Sequence, residues 1–344
     1  MINRITGKFV HLAYLCAVSF LFSFALFACS GNNKHKTISQ IVFEAKKNAF
    51  IDKYPKIPRD EIILQASSSR LYSEMKEYYK RALIELKAAT DKDCAKLILV
   101  ILTTETGKYA TTANSYGIPY IMITADNIGI DFYNLADSFT HREDIPMLTQ
   151  STAEGTWSKQ GALFVAGMMA DILAKYDTVR SSHHLSGTDK PKLLGDLPPL
   201  QDEQMYDHGD QPYHLKVNSQ GLRMDNDITF PKTKQTILFL GDAEVYNPML
   251  DNNDIITGVL QRTFPNKVIV NAGMENYTMD DYASLYKEKA RFTEPDIVVV
   301  VTDGGDILEQ YFSSRNKYSR LERIYEPSDA ELQFYNQLYG KQNQ

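Results

Sequence analysis

Four short stretches of the chain hold the residue types that do chemistry at a cleft. The first is Leu240-Gly-Asp-Ala243, where a short apolar run stops at a Gly-Asp pair and turns. In an α/β protein such a turn displays a side chain at the carboxyl edge of a parallel sheet. The place for a nucleophilic hydroxyl is taken by Ala243, which has no reactive group. The second is Val270-Asn-Ala-Gly273, followed by Tyr277. The third is Thr302-Asp-Gly-Gly-Asp306, and the fourth is Glu154-Gly-Thr-Trp157. Asp242, Asp303, Asp306 and Glu154 are the carboxylates that could gather in one cleft. Paired carboxylates serve as acid and base or hold a divalent cation, and they also cap loops by accepting from backbone N–H groups. Loop capping is the simpler reading. Tyr246, Tyr277, Asn271 and Trp157 are further cleft candidates, the tyrosines for stacking on a sugar or for plain packing.

Other chemistries find no support. His183, His184, His208 and His214 lack the spacing of a metal site, so no metal is expected. A Gly-x-x-x-x-Gly-Lys-Ser/Thr loop is absent, and no cofactor is expected. The formal net charge of -6 is not the footprint of a nucleic-acid binder.

The elements that must position these stretches follow from hydrophobic pattern. Residues 67–89 read as an amphipathic helix, with Leu71, Met75, Tyr78, Tyr79, Leu83 and Leu86 at steps of three and four. Residues 95–103 are continuously apolar, as in a strand buried on both faces. A helix is expected over 105–116, ended by Gly117, then a second strand over 118–124 and a helical turn over 132–136. Residues 162–176 read as a thin helix whose Gly167, Ala166 and Ala170 allow close approach to a sheet. Strands follow at 236–240, 267–270 and 296–301, with helices at 255–263, 279–291 and 328–339. This alternation implies a three-layer αβα sandwich around a mainly parallel five-stranded sheet. The loops at 241–246, 271–277 and 302–307 then converge at the carboxyl edge.

The chain has 344 residues, 43% of them apolar, enough for one sizeable core. Residues 1–28 read as a secretory signal, with Arg4 and Lys8 ahead of an apolar run. The run ends in Leu26-Phe-Ala-Cys29 and then Ser30-Gly31, which resembles a bacterial lipobox with Cys29 as the lipidated residue. The alternative is a retained transmembrane anchor. Once Cys16 leaves with the signal and Cys29 carries lipid, Cys94 alone remains and no internal disulfide forms. Residues 29–66 read as a tether with a short helix over 37–50, and 178–212, rich in proline and glycine, as a linker.

Four blocks in the second half resemble the SGNH/GDSL hydrolase superfamily. Asn218-Ser-Gln-Gly-Leu-Arg223 is similar to the Asn-Ser-x-Gly-Phe-Arg lead-in of bacterial envelope members. Leu240-Gly-Asp-Ala243 resembles the Gly-Asp-Ser block, and Val270-Asn-Ala-Gly273 with Tyr277-Thr278 resembles the block of the oxyanion-hole glycine. Pro295 to Val301 and Asp303-Gly-Gly-Asp306 resemble the strand and Gly-x-Asn-Asp block. In the first half, residues 154–161 resemble the closing Asp-x-His-Trp-Asn-x-x-Gly segment.

The resemblance implies a flavodoxin-like SGNH domain with its second half first: 67–177 and 213–344 make one circularly permuted domain. The competing organisation is two incomplete copies. The resemblance also implies that the nucleophile is replaced by Ala243, the histidine by Thr156, the orienting acid by Glu154 and the asparagine donor by Gly305. Gly273 alone keeps its identity. The expected protein is therefore a lipid-anchored member of the bacterial cell envelope, at the outer membrane or periplasmic face, that has lost hydrolysis. It would bind a glycan or protein partner, scaffold, or serve assembly with an empty cleft. The alternative is an active serine esterase, O-acyltransferase or deacetylase on envelope glycans or acyl esters.

Overall fold

The computed structural model describes residues 70–102, 108–139, 148–149, 156–180, 190–206, 212–307 and 310. The signal, tether, Cys29, Glu154 and the helices expected at 37–50 and 328–339 lie outside them. Among the described residues no helix is long and apolar enough to cross a membrane.

In chain order the elements are α1 (Arg70–Lys92), β1 (Lys96–Ile101), α2 (Lys108–Asn127), β2 (Asp131–Asn134) and α3 (Lys159–Ala174). A hairpin follows, β3 (Gln201–Tyr206) and β4 (Pro212–Val217). Then come β5 (Gln235–Leu240), the single turn α4 (Ala243–Tyr246), α5 (Ile256–Thr263), β6 (Lys267–Asn271), α6 (Met279–Glu288) and β7 (Ile297–Thr302).

Five strands form one parallel sheet in the order β2-β1-β7-β5-β6. Counted from β5, the spatial order reads 2-1-3-4-5, that of flavodoxin-like doubly wound folds. Strands from both parts of the chain thus share one sheet. The seam is the β1–β7 pair, in register from Lys96 opposite Ile297 to Ile101 opposite Thr302. Every residue of β5 and β7 is buried, as their unbroken apolar runs require.

Alternate strand residues feed two cores, because successive side chains point to opposite faces. Leu97, Leu99, Leu238, Leu240, Val298 and Val300 pack on one face with Tyr79, Leu83 and Leu86 of α1, Ile121 of α2 and Tyr282 of α6. Ile98, Val100, Ile237, Phe239, Val299 and Val301 pack on the other with Val165 and Met169 of α3 and Leu260 of α5. Local signals place the helix starts. Ser158 caps α3 by accepting from the Gly161 N–H at 3.1 Å. Thr278 and Asp281 form a capping box at α6.

The structure corrects three sequence readings. Residues 118–124 lie inside α2 and are not a strand, and Pro119 falls within that helix. Ile118, Ile121 and Ala125 are buried while Ile123 faces solvent, a helical period that a short β-branched run disguises. Gly117 does not end the helix. It lets α2 meet the backbone of Gly304, whose carbonyl oxygen would lie 2.4 Å from a Cβ at position 117. The fifth strand is instead Asp131–Asn134, where a helical turn was expected. It is an edge strand, half-buried at every residue, and so carries no alternating pattern.

The connecting stretch is packed and partly strand. Residues 193–199 are buried and 201–206 form β3. Asp196 pairs with Lys289 at 2.9 Å, their side chains 1% and 7% exposed. The hairpin itself is held by Asn252, whose Nδ2 donates to the Lys216 carbonyl at 2.7 Å.

One interleaved sheet implies one cooperative unit. Leu99→Ala in β1 and Leu238→Ala in β5 are each expected to cost about 2–5 kcal/mol. In urea unfolding followed by fluorescence and far-UV circular dichroism, each should shift a single coincident transition. Two separable transitions would contradict the single sheet.

Candidate functional site

The candidate cleft is where β5, β6 and β7 end together. Gly241 leaves β5 with Val245 packed onto it; a Cβ there would lie 2.4 Å from the Val245 Cγ2 and 3.3 Å from the Val301 Cβ. The chain then turns through α4. The Asp242 carbonyl accepts from the Val245 and Tyr246 N–H groups at 3.0 and 2.9 Å. Asn247 ends the turn in the left-handed region, with φ 48°, and its N–H returns to the Ala243 carbonyl at 2.8 Å. The methyl of Ala243 is half-buried at the place where the turn presents a side chain.

The back of this turn is organised by Arg223, which is 1% exposed. Its Nε donates to the Asn252 Oδ1 at 3.1 Å, its Nη1 to the carbonyls of Tyr246 and Asn247, and its Nη2 to the Leu250 carbonyl at 2.5 Å. The guanidinium also stacks on the Tyr246 ring, 4.9 Å from its centroid. Burial draws the Arg223 pKa below its ordinary value, and the acidic groups Tyr246, Tyr213, Glu275 and Asp251 act against that shift.

Asp242, Asp303 and Asp306 lie near one another, and two backbone turns use them as caps. Asp242 accepts from the Asn276 N–H. Asp303 accepts from the N–H groups of Gly305 at 2.6 Å and Asp306 at 3.1 Å. Asp306 accepts from the Asp303 N–H at 3.2 Å and from the Thr302 hydroxyl. Behind them the buried Tyr79 hydroxyl meets the Thr302 Oγ1 at 3.0 Å, so α1 is tied to the end of β7. Burial first, and then the charges of Asp306 and Asp303, push the Tyr79 pKa well above its usual value.

A fourth carboxylate, Glu244, was not singled out from sequence. It is half-buried and faces Asp242, Asp303 and Asp306. Desolvation, followed by repulsion from those three, raises its pKa well above the carboxylate range. Its signal in the sequence is only its place one residue after Ala243, in the same turn as Asp242.

The donors at the end of β6 are also committed internally. The Gly273 N–H donates to the Asn271 Oδ1 at 2.9 Å. Asn271, 1% exposed, donates in turn to the Val245 carbonyl at 2.9 Å and the Thr257 hydroxyl at 3.0 Å. It is a buried cross-link and not a cleft-lining residue. Gly273 is required by space, since a Cβ there would lie 2.7 Å from the Tyr246 nitrogen. The N–H aimed at the Ala243 turn is that of Asn276, held at φ 63°. Asparagine is among the few non-glycine residues that adopt this conformation readily, which is the signal sequence reading missed.

Tyr277 and Trp157 are likewise buried. Tyr277, 1% exposed, donates its hydroxyl to Asp196 at 2.9 Å beneath the connecting stretch. Trp157 is in the core beside Phe139, with ring centroids 5.3 Å apart. Tyr246 is 8% exposed and turned onto Arg223. Thr156 is also buried. The Trp157 segment does meet the Ala243 turn: the Asn247 Nδ2 donates to the Trp157 carbonyl at 3.2 Å.

Among the described residues the one histidine is His214, on β4, where its Nε2 lies 2.7 Å from Asp202 on the exposed face of the hairpin. No group of three or more His, Cys, Asp or Glu among the described residues could hold a metal ion. Within the described cleft, then, the turn bears a methyl group beside three carboxylates and the Glu244 carboxyl, which burial and those neighbours push toward its protonated form.

No family model matches the chain, and no curated protein matches it. Among solved structures it is similar to the O-acetyltransferase domain of Pseudomonas putida AlgJ. That likeness has 15% identity over 70% of this chain and 84% of that one, with a TM-score of 0.41. It is also similar to Pseudomonas aeruginosa AlgX, at 15% identity over 68% of this chain and 59% of that one, TM-score 0.39. A third is Bacillus cereus PatB1 with a sulfonyl adduct, at 11% identity over 70% and 92%, TM-score 0.36.

Two expectations come from this geometry. Because folding raises the Glu244 pKa, the folded state holds that proton longer than the unfolded chain. Its contribution to stability is greatest at low pH, below the unfolded value, and is lost as pH rises through the folded one. Glu244→Gln is therefore expected to melt higher than wild type at pH 8 and to flatten the pH dependence, measured by thermal unfolding from pH 4 to 8. Removing the buried cation with Arg223→Met strands its carbonyl partners and should cost roughly 3–5 kcal/mol, read from urea unfolding.

Proposed function

We propose that the chain is a lipid-anchored, SGNH-like protein of the bacterial cell envelope whose cleft serves binding or scaffolding and not ester hydrolysis. Acyl transfer by this type of site needs a nucleophile, a base held by an acid, and donors for the oxyanion. The observation that carries the reading is the Ala243 turn. It has a methyl group at the display position, and the N–H of Asn276 in the facing turn is given to Asp242. The Gly273 N–H is taken by Asn271, and Gly305 has no side chain with which to donate. Thr302 offers a hydroxyl near the strand end, but it is 3% exposed and donates to Asp306. The envelope and lipid parts rest on the basic start, the apolar run and the Cys29 context of residues 1–31.

A fluorophosphonate probe and short acyl esters test the catalytic part on the mature chain. No labelled residue and no turnover above background are expected. Ala243→Ser is expected to stay at background as well, since the one histidine among the described residues, His214, is engaged with Asp202 on the hairpin and supplies no base to the turn. A specifically labelled serine in the wild-type chain, or turnover of acetylated sugars, would establish the esterase or acyltransferase reading instead. Metabolic palmitate labelling tests the anchor. Label is expected in wild type and absent from Cys29→Ser, and a labelled variant would overturn the assignment of Cys29.

A further inference from the structure

We draw no further inference here: the strongest candidate, the outward face of helix α3 carrying Leu163, Gly167 and Ala174, is an exposed apolar surface, and nothing in the structure shows what covers it.

Discussion

The pairing of β1 with β7 is the constraint on which the rest of the molecule depends. It joins the first strand of the described chain to the last. Both strands are buried, so their backbone N–H and C=O groups have no recourse to water and must find each other. Once they do, α1 and α2 are fixed against the end of β7. Tyr79 reaches Thr302 from one helix, and Gly117 lets the other lie on Gly304. The 303–306 turn thereby acquires its wall and is set beside the 241–244 turn. Contacts between strands so far apart in sequence carry a large loop-closure cost, which the dense apolar burial on both faces offsets.

At the cleft, two kinds of charge are handled in opposite ways. The Arg223 guanidinium is buried against neutral acceptors, three backbone carbonyls and an asparagine oxygen. Such dipoles solvate a cation that cannot lose its proton, and in doing so they define the path of the 246–250 segment. The carboxylates stay nearer to solvent, and three of them accept from backbone N–H groups, Asp303 and Asp306 within their own turn and Asp242 from the facing Asn276 turn. Those hydrogen bonds favour the ionised form. Glu244 has no comparable set of donors and faces the other three, so it is the member of the group on which a proton is most easily kept.

What could be read from sequence follows from how each element is buried. β5, β7 and β1 were legible because central parallel strands are apolar on both faces and stand out as unbroken runs, and the edge strand β6 because four of its five residues are buried. β2 was not, because Asp131, Phe132, Tyr133 and Asn134 are half-buried edge residues with one neighbouring strand. Residues 118–124 misled because a short apolar β-branched run reads the same in a strand and in a buried helix face. The connecting stretch looked loose from its prolines and glycines, yet Gly195 and Gly221 are there for close approach. A Cβ on Gly195 would lie 2.1 Å from the Gly221 carbonyl oxygen. Of the candidate site residues, Ala243 and the three aspartates lie half-buried on the turns at the sheet edge. Asn271, Tyr277 and Trp157 are buried, the first two in side-chain hydrogen bonds and the third in the core, which no linear pattern reveals.

The frame that makes the family resemblance visible turns out to be mechanical. Gly241 is held by the packing of Val245, and Gly273 by the approach of the Tyr246 nitrogen. Asp242 caps the Asn276 turn, and Asp306 ties the end of β7. Trp157 fills a core position, and its carbonyl receives Asn247. Each of these residues is needed to fold the three turns whether or not any reaction takes place there. Ala243 carries no such duty, because a one-carbon side chain at the head of α4 neither caps nor packs anything that a serine could not. A lineage could therefore change that position without loss of the fold.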